Sequence, residues 1–149
     1  MIEPLRLSFV VECEQDHAFA TWTRKASSWW PVEHTVSHEA GAEIVFEPRA
    51  GGRIYERTPA GKEIEWGQIV EWEPPRRLRY LWHIATDTKN ATDVEIVFRE
   101  LPGSSTQVEI EHGGWERLGE IGQAWRDANH AGWDGVLPSY TVFCQLIRS

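Results

Sequence analysis

The sequence predicts one α+β domain: a curved antiparallel β-sheet wrapped around a long C-terminal helix, with two short helices after the first strand. Three observations predict it. Between Ala42 and His112 the apolar residues recur with a period of two, in six short runs separated by turn residues. After Gly113-Gly114 the period becomes helical and stays so to the end. A length of 149 residues fits a single domain with one core.

The first run, Leu5 to Val11, places Leu5, Leu7, Phe9 and Val11 on one side, as a strand with one buried face does. Asp16 is the expected cap of a short helix through Ala18, Phe19 and Trp22. A second helical piece ends at Trp29-Trp30-Pro31, where proline favours a break. The six strands are expected at 43–47, 53–57, 63–72, 78–84, 93–101 and 107–112. Their connections are Pro48 to Gly52, Pro59 to Gly61, Glu73-Pro74-Pro75, Asp87 to Asn90 and Pro102 to Ser104. Five short turns dictate an antiparallel meander, because parallel strands need long crossovers. In the 63–72 run, Trp66, Val70 and Trp72 share one side while Ile69 takes the other, a conflict that a bulge near Gly67 would resolve.

Trp133, Val136, Leu137, Tyr140, Cys144 and Ile147 make one apolar helical stripe. Leu118, Ile121 and Trp125 make an earlier one on the lead-in. Pro138 is expected to kink or break this helix, and Gly132 and Gly135 weaken it. A sheet with one apolar face must cover it, and only this helix is long enough. The space between the two is where function is expected.

Composition narrows the function. The chain has 23 acidic and 15 basic side chains, a net charge of −8, so neither nucleic acid nor an anionic membrane surface is an expected partner. No N-terminal stretch pairs a basic end with an apolar run, and no apolar run approaches a membrane span; a cytoplasmic location is expected. Cys13 and Cys144 have neither metal nor redox spacing and read as reduced thiols. Nine tryptophans against five phenylalanines are more indoles than a small core usually needs.

Several stretches resemble a known family. They are Trp29-Trp30-Pro31, Gly51-Gly52-Arg53, the long run from Trp66 to Leu78 (WGQIVEWEPPRRL), the run from Val108 to Trp115 (VEIEHGGW), and Gly132-Trp133-Asp134-Gly135-Val136-Leu137. Their order is similar to the helix-grip fold of the START-like (SRPBCC) superfamily, in the branch named after the activator of Hsp90 ATPase. The resemblance spans nearly the whole chain. It implies a hydrophobic ligand cavity between sheet and helix, usually with no metal and often with no known chemistry; no cofactor is expected. Eukaryotic activators carry an additional N-terminal domain that docks on the chaperone, and these 149 residues have no counterpart to it.

The expected cavity wall comes from Phe46, Trp66, Tyr80, Trp82, Phe98, Ile110 and His112 on the sheet and Trp125, Trp133, Leu137 and Tyr140 on the helix, with Trp30 at the mouth. Indoles offer large apolar planes suited to a flat aromatic ligand, although a core of such rings is the plainer reading. His112 shares the apolar face of Val108 and Ile110; it would contact a ligand, act as an acid or base, or serve only as a core histidine. His34 and His38 have a spacing that holds zinc on a helix, but Pro31 and Gly41 flank them closely and Thr35 stands where H-E-x-x-H has its carboxylate. A loop at the cavity mouth, without metal, is expected there. No nucleophile has a partner histidine in sequence, and carboxylate pairs such as Glu63/Glu65 and Glu109/Glu111 fall on the solvated face.

Three functions follow. The first is a binding protein for a hydrophobic or aromatic small molecule, with no catalytic residue. The second is a cyclase- or dehydratase-like enzyme using His112 as acid and base. The third is a chaperone-interaction module. A homodimer is compatible with each.

Overall fold

The computed structural model describes residues 2–84 and 88–146. Asp87 of the fourth connection and Ile147 of the helical stripe lie outside the described residues. Seven strands form one antiparallel sheet in the order β1-β7-β6-β5-β4-β3-β2. They are β1 (Leu5–Val11), β2 (Glu43–Phe46), β3 (Arg53–Arg57), β4 (Glu63–Glu73), β5 (Arg77–Trp82), β6 (Thr92–Leu101) and β7 (Ser105–Gly113). The sheet curls into a half-barrel. Helix α1 (Gln15–Trp22) and the long helix α2 (Gly122–Leu146) close its concave side.

The alternation read in β1 is the observed burial: Leu5 and Val11 are buried and Val10 is exposed. In β6, Thr92, Val94, Ile96 and Phe98 face inward; in β7, Val108, Ile110 and His112 do. The convex face carries the paired carboxylates. Glu63 meets Arg53 and Arg57, Glu109 meets Arg99, and Glu111 meets Arg6. Pairs this exposed to water and salt contribute little to stability.

Strand β4 resolves its parity conflict with a bulge at Trp66 itself. Ile54 pairs with Gly67 and Tyr55 with Glu65, so Trp66 is the extra residue and is fully buried, as is Ile69 three positions on. Gly67 is required beside it: a Cβ there would lie 2.1 Å from the Leu81 carbonyl oxygen. A second irregularity opposite β5 passes over Val70 and leaves it exposed.

Two local expectations are corrected. Asp16 is not the cap of α1. The helix begins at Gln15 with Glu14 at its N-cap position, two residues before the expected cap, and Asp16 lies in the first turn, where a negative charge suits the helix N-terminus. Pro138 does not interrupt α2, which runs unbroken for 25 residues, about 37 Å at 1.5 Å per residue. The carbonyl of Asp134, which loses its donor to Pro138, lies on the exposed side of the helix, where water can replace it. A 3-10 lead-in, Trp115–Ile121, precedes α2. No helix among the described residues is long and apolar enough to cross a membrane.

Candidate ligand site between sheet and helix

The indoles mostly fill the space under α2. Ring centroids run in steps of 4.9 Å from Tyr140 to Trp22, 5.3 Å to Trp29, 5.3 Å to Trp30, 5.1 Å to Trp66 and 5.7 Å to Trp82. Tyr80 lies 5.6 Å from Trp82, and Phe46 lies 5.9 Å from Tyr80. Most contacts are tilted or edge-on, the arrangement ring quadrupoles favour. Buried indole N–H groups need acceptors, and the backbone supplies several. Trp29 donates to the Thr21 carbonyl (2.7 Å), Trp30 to the His34 carbonyl (3.1 Å) and Trp115 to the His112 carbonyl (3.0 Å).

At one end the filling stops. An opening of about 80 Å³ is lined by Trp30, His34, Trp82, Ile84, Asn129, Gly132, Trp133 and Val136. Trp82 enters from the end of β5. Asn129, Gly132, Trp133 and Val136 are one face of α2, at spacings of three and four. His34 comes from a 3-10 turn, Val32–His34, just after Pro31. Its imidazole lies directly over Gly135: a Cβ on that glycine would stand 2.2 Å from His34 Nε2. Asn129 Nδ2 donates to the Trp125 carbonyl (2.9 Å), which leaves its amide oxygen as an acceptor.

Of the residues expected to form the wall, Trp30, Trp82 and Trp133 come together at this opening. Trp66, Tyr80 and Phe46 stand behind them in the ring network. Trp125 borders a smaller recess with Trp82 and Asn129. Phe98 packs on Phe19 at 5.3 Å, Ile110 is buried in the core, and Leu137 is half-buried against it. Tyr140 belongs to the opposite end, where its hydroxyl donates to the Ala18 carbonyl (2.8 Å).

His112 is fully buried behind Trp133. Trp133 Nε1–H donates to His112 Nδ1 at 3.0 Å, so the ring proton is on Nε2. Nε2 donates to the Thr92 hydroxyl (2.7 Å), which donates on to the Trp82 carbonyl (3.3 Å). Burial pushes the imidazole down to about 3, so it is neutral at physiological pH. Both ring nitrogens are engaged, and the chain of bonds fixes Trp133, one wall of the opening.

Glu56 is a second buried anchor, one that strand alternation could have revealed, since it shares the face of Ile54. Its carboxylate accepts from the backbone N–H groups of Val36 (2.8 Å) and Ser37 (3.0 Å), from Trp66 Nε1 (3.2 Å) and from the Ser37 hydroxyl. Burial raises its pKa, but these donors outweigh burial and hold it below the usual carboxylate value. It ties down the segment that follows His34. That segment is not helical: Thr35 is extended and His38 has a positive φ, so the zinc spacing of His34 and His38 is not realised on a helix.

Comparison with known proteins agrees with this architecture. Residues 12–139 match the family described as Activator of Hsp90 ATPase homolog 1-like protein. An anthrahydroquino-γ-pyrone synthase, Txn09, is 34% identical over 83% of this chain and 84% of its own, with a TM-score of 0.60. CalC, a self-sacrificing resistance protein from Micromonospora echinospora, is 26% identical over 95% of this chain and 94% of its own, with a TM-score of 0.74. Protein CV1439 from Chromobacterium violaceum shares the fold at 15% identity, covering 97% of this chain and 99% of its own, with a TM-score of 0.68. No curated protein matches the chain. A family match across most of the length, on a half-barrel gripping one long helix, establishes that the chain belongs to the Activator of Hsp90 ATPase homolog 1-like family of SRPBCC-type proteins.

Proposed function

We propose that this protein is a cytoplasmic binding protein for a flat, polycyclic aromatic molecule. The molecule is held where Trp30, Trp82 and Trp133 converge. The observation that carries the reading is this opening: three indole walls with an imidazole and a carboxamide at the rim. Aromatic planes supply apolar area, and a few polar groups fix orientation, which is the composition of small-molecule sites. The likeness to a synthase of an anthrahydroquino-γ-pyrone supports the ligand class.

An opening of about 80 Å³ is smaller than the roughly 300–1,000 Å³ of drug-sized ligand sites. The ligand therefore enters by displacing Trp30, the half-buried ring of the set. The walls behind the opening, from Trp66, Tyr80 and Phe46 to Phe98, Ile110, Leu137 and Tyr140, then serve as a fixed backing. Trp125 flanks the neighbouring recess.

The test is quenching of tryptophan fluorescence by 1,4-dihydroxyanthraquinone. Saturable quenching is expected, weakened at least tenfold in Gly132→Leu, whose side chain fills the opening from α2. Quenching that does not saturate, or is the same in Gly132→Leu, contradicts the reading. The identity to Txn09 favours a second reading, in which the same site promotes ring closure. His34 would then be the acid and base, because His112 is engaged on both nitrogens. A chaperone partner would need a continuous apolar face. Of the exposed large apolar side chains among the described residues, Val10, Val32, Val70 and Ile121 come from four separate elements, and only Val142 and Leu146 are neighbours, one turn apart on α2.

A further inference from the structure

The end of the grip remote from the opening brings two thiols together. Cys13 lies in the connection from β1 to α1, and Cys144 in the last turns of α2. They are 131 residues apart in sequence, both buried, with Sγ atoms 2.7 Å apart. That is closer than the roughly 3.5–4.0 Å at which even carbon atoms meet. Their backbones are held in this relation by independent contacts. The Thr106 hydroxyl donates to the Cys13 carbonyl (2.8 Å), and the Glu12 N–H donates to Gln145 Oε1 (3.0 Å).

Two chemistries use paired thiols. His17 is the third potential metal ligand here; the donor atoms of Cys13, His17 and Cys144 lie within 4.8 Å of one another. His17 Nε2 is 3.1 Å from the Cys144 carbonyl oxygen, which can only accept, so Nε2 carries the proton and Nδ1 is the nitrogen left to bind a metal. Tetrahedral zinc with Zn–S bonds of about 2.3 Å, however, would hold the sulfurs roughly 3.8 Å apart. The contact favours sulfur–sulfur chemistry instead. The adjacent Cys13 thiol lowers the Cys144 pKa, burial opposes, and the Lys25 charge adds to the lowering, which favours Cys144 as the attacking thiolate.

We propose that Cys13 and Cys144 are a redox pair that a peroxide converts to an intramolecular disulfide, stapling the end of α2 to the start of α1. The Cys144 thiolate attacks one peroxide oxygen and the O–O bond breaks; with one proton taken up, water leaves and a sulfenic acid remains. Cys13 sulfur then displaces the sulfenic hydroxyl, the S–S bond forms and a second water leaves. The two thiols lose two electrons and two protons, and hydrogen peroxide becomes two waters. Fraying of the last turn of α2, where Leu146 is 77% exposed, is the route by which peroxide reaches the pair.

The experiment treats the fully reduced protein with hydrogen peroxide, then denatures it in N-ethylmaleimide for intact-mass measurement. The expected result is a monomer lighter by two hydrogens that takes no maleimide, and takes two after dithiothreitol. The oxidised protein should melt higher by on the order of 5–10 °C. Cys13→Ser should gain oxygen at Cys144 rather than lose hydrogen. Two maleimides on the treated wild type, stepwise oxygen addition to it, or a covalent dimer would overturn the proposal. So would one equivalent of zinc retained by the reduced protein and lost in Cys144→Ser.

Discussion

The two ends of the grip are built from the same residue type and differ in what surrounds it. At the sealed end, Trp22 is fully buried, 4.9 Å from Tyr140, 5.3 Å from Trp29 and 6.0 Å from Trp133. At the open end, Trp30, Trp82 and Trp133 meet a glycine on α2, with no side-chain atom to complete the packing. An indole is thus packed core or lines the opening according to whether the facing helix position carries a side chain. The excess of tryptophan divides along that line.

Substitutions can break this comparison, starting with the largest effect. Trp22→Ala should cost about 3–5 kcal/mol, because the cavity it leaves has packed rings on every side. Chemical denaturation would read this, and binding at the open end should survive in the folded fraction. Trp30→Ala should cost less than half as much and should weaken the anthraquinone complex at least tenfold. If Trp22→Ala is the milder of the two in stability, the division between ends is wrong.

His112→Leu should cost about 2–3 kcal/mol, since it leaves the Trp133 indole N–H and the Thr92 hydroxyl without their buried partner. It also removes an acid sensitivity. His112 has a folded pKa of about 3 against an ordinary value of 6.5. As pH falls below 6.5 the unfolded chain takes up a proton that the native state refuses, so stability declines between pH 6.5 and 3. His17, lowered chiefly by burial, adds in the same direction. Glu56, whose pKa is held down in the fold, adds its own loss at lower pH as its carboxylate is protonated. Urea midpoints measured from pH 7 to pH 4 should therefore fall less steeply for His112→Leu than for the wild type. An unchanged slope would mean that the imidazole charges in place.

The smallest effects sharpen the open end. Gly135→Ala must push the His34 imidazole off α2. Stability should change by about 1 kcal/mol or less, since alanine favours the helix while the contact is lost, and binding should weaken. Gly132→Ala meets nothing within 4 Å, so it should leave stability unchanged or slightly raised while narrowing the opening. Differential scanning fluorimetry alongside the quenching assay separates the two outcomes.

Much of the fold was legible because it depends on local pattern. The alternation of Leu5, Leu7, Phe9 and Val11 fixes β1, and the Pro48 to Gly52 and Glu73-Pro74-Pro75 turns space the hairpins. The bulge was signalled by the parity conflict at Ile69 but placed by tertiary packing, because Trp66 turns inward only where Gly67 lets β5 approach. The site was legible in part. Asn129 and Gly132 could have been found from Trp133 and Val136, since all four share one helical face. His34 could not. Its place depends on a turn resting on Gly135 about a hundred residues later, a contact that no local period records. Likewise, parity placed His112 inward, but only the structure shows that Trp133 and Thr92 occupy both its nitrogens.

The most direct test of the division between the two ends is a ¹H–¹⁵N spectrum of the tryptophan indole N–H groups, recorded as 1,4-dihydroxyanthraquinone is added. The indole signals of Trp30, Trp82 and Trp133 should shift progressively and saturate together, while those of Trp22 and Trp115 stay in place. Equal shifts at Trp22 and Trp115, or none at Trp30, would contradict a ligand site at the open end.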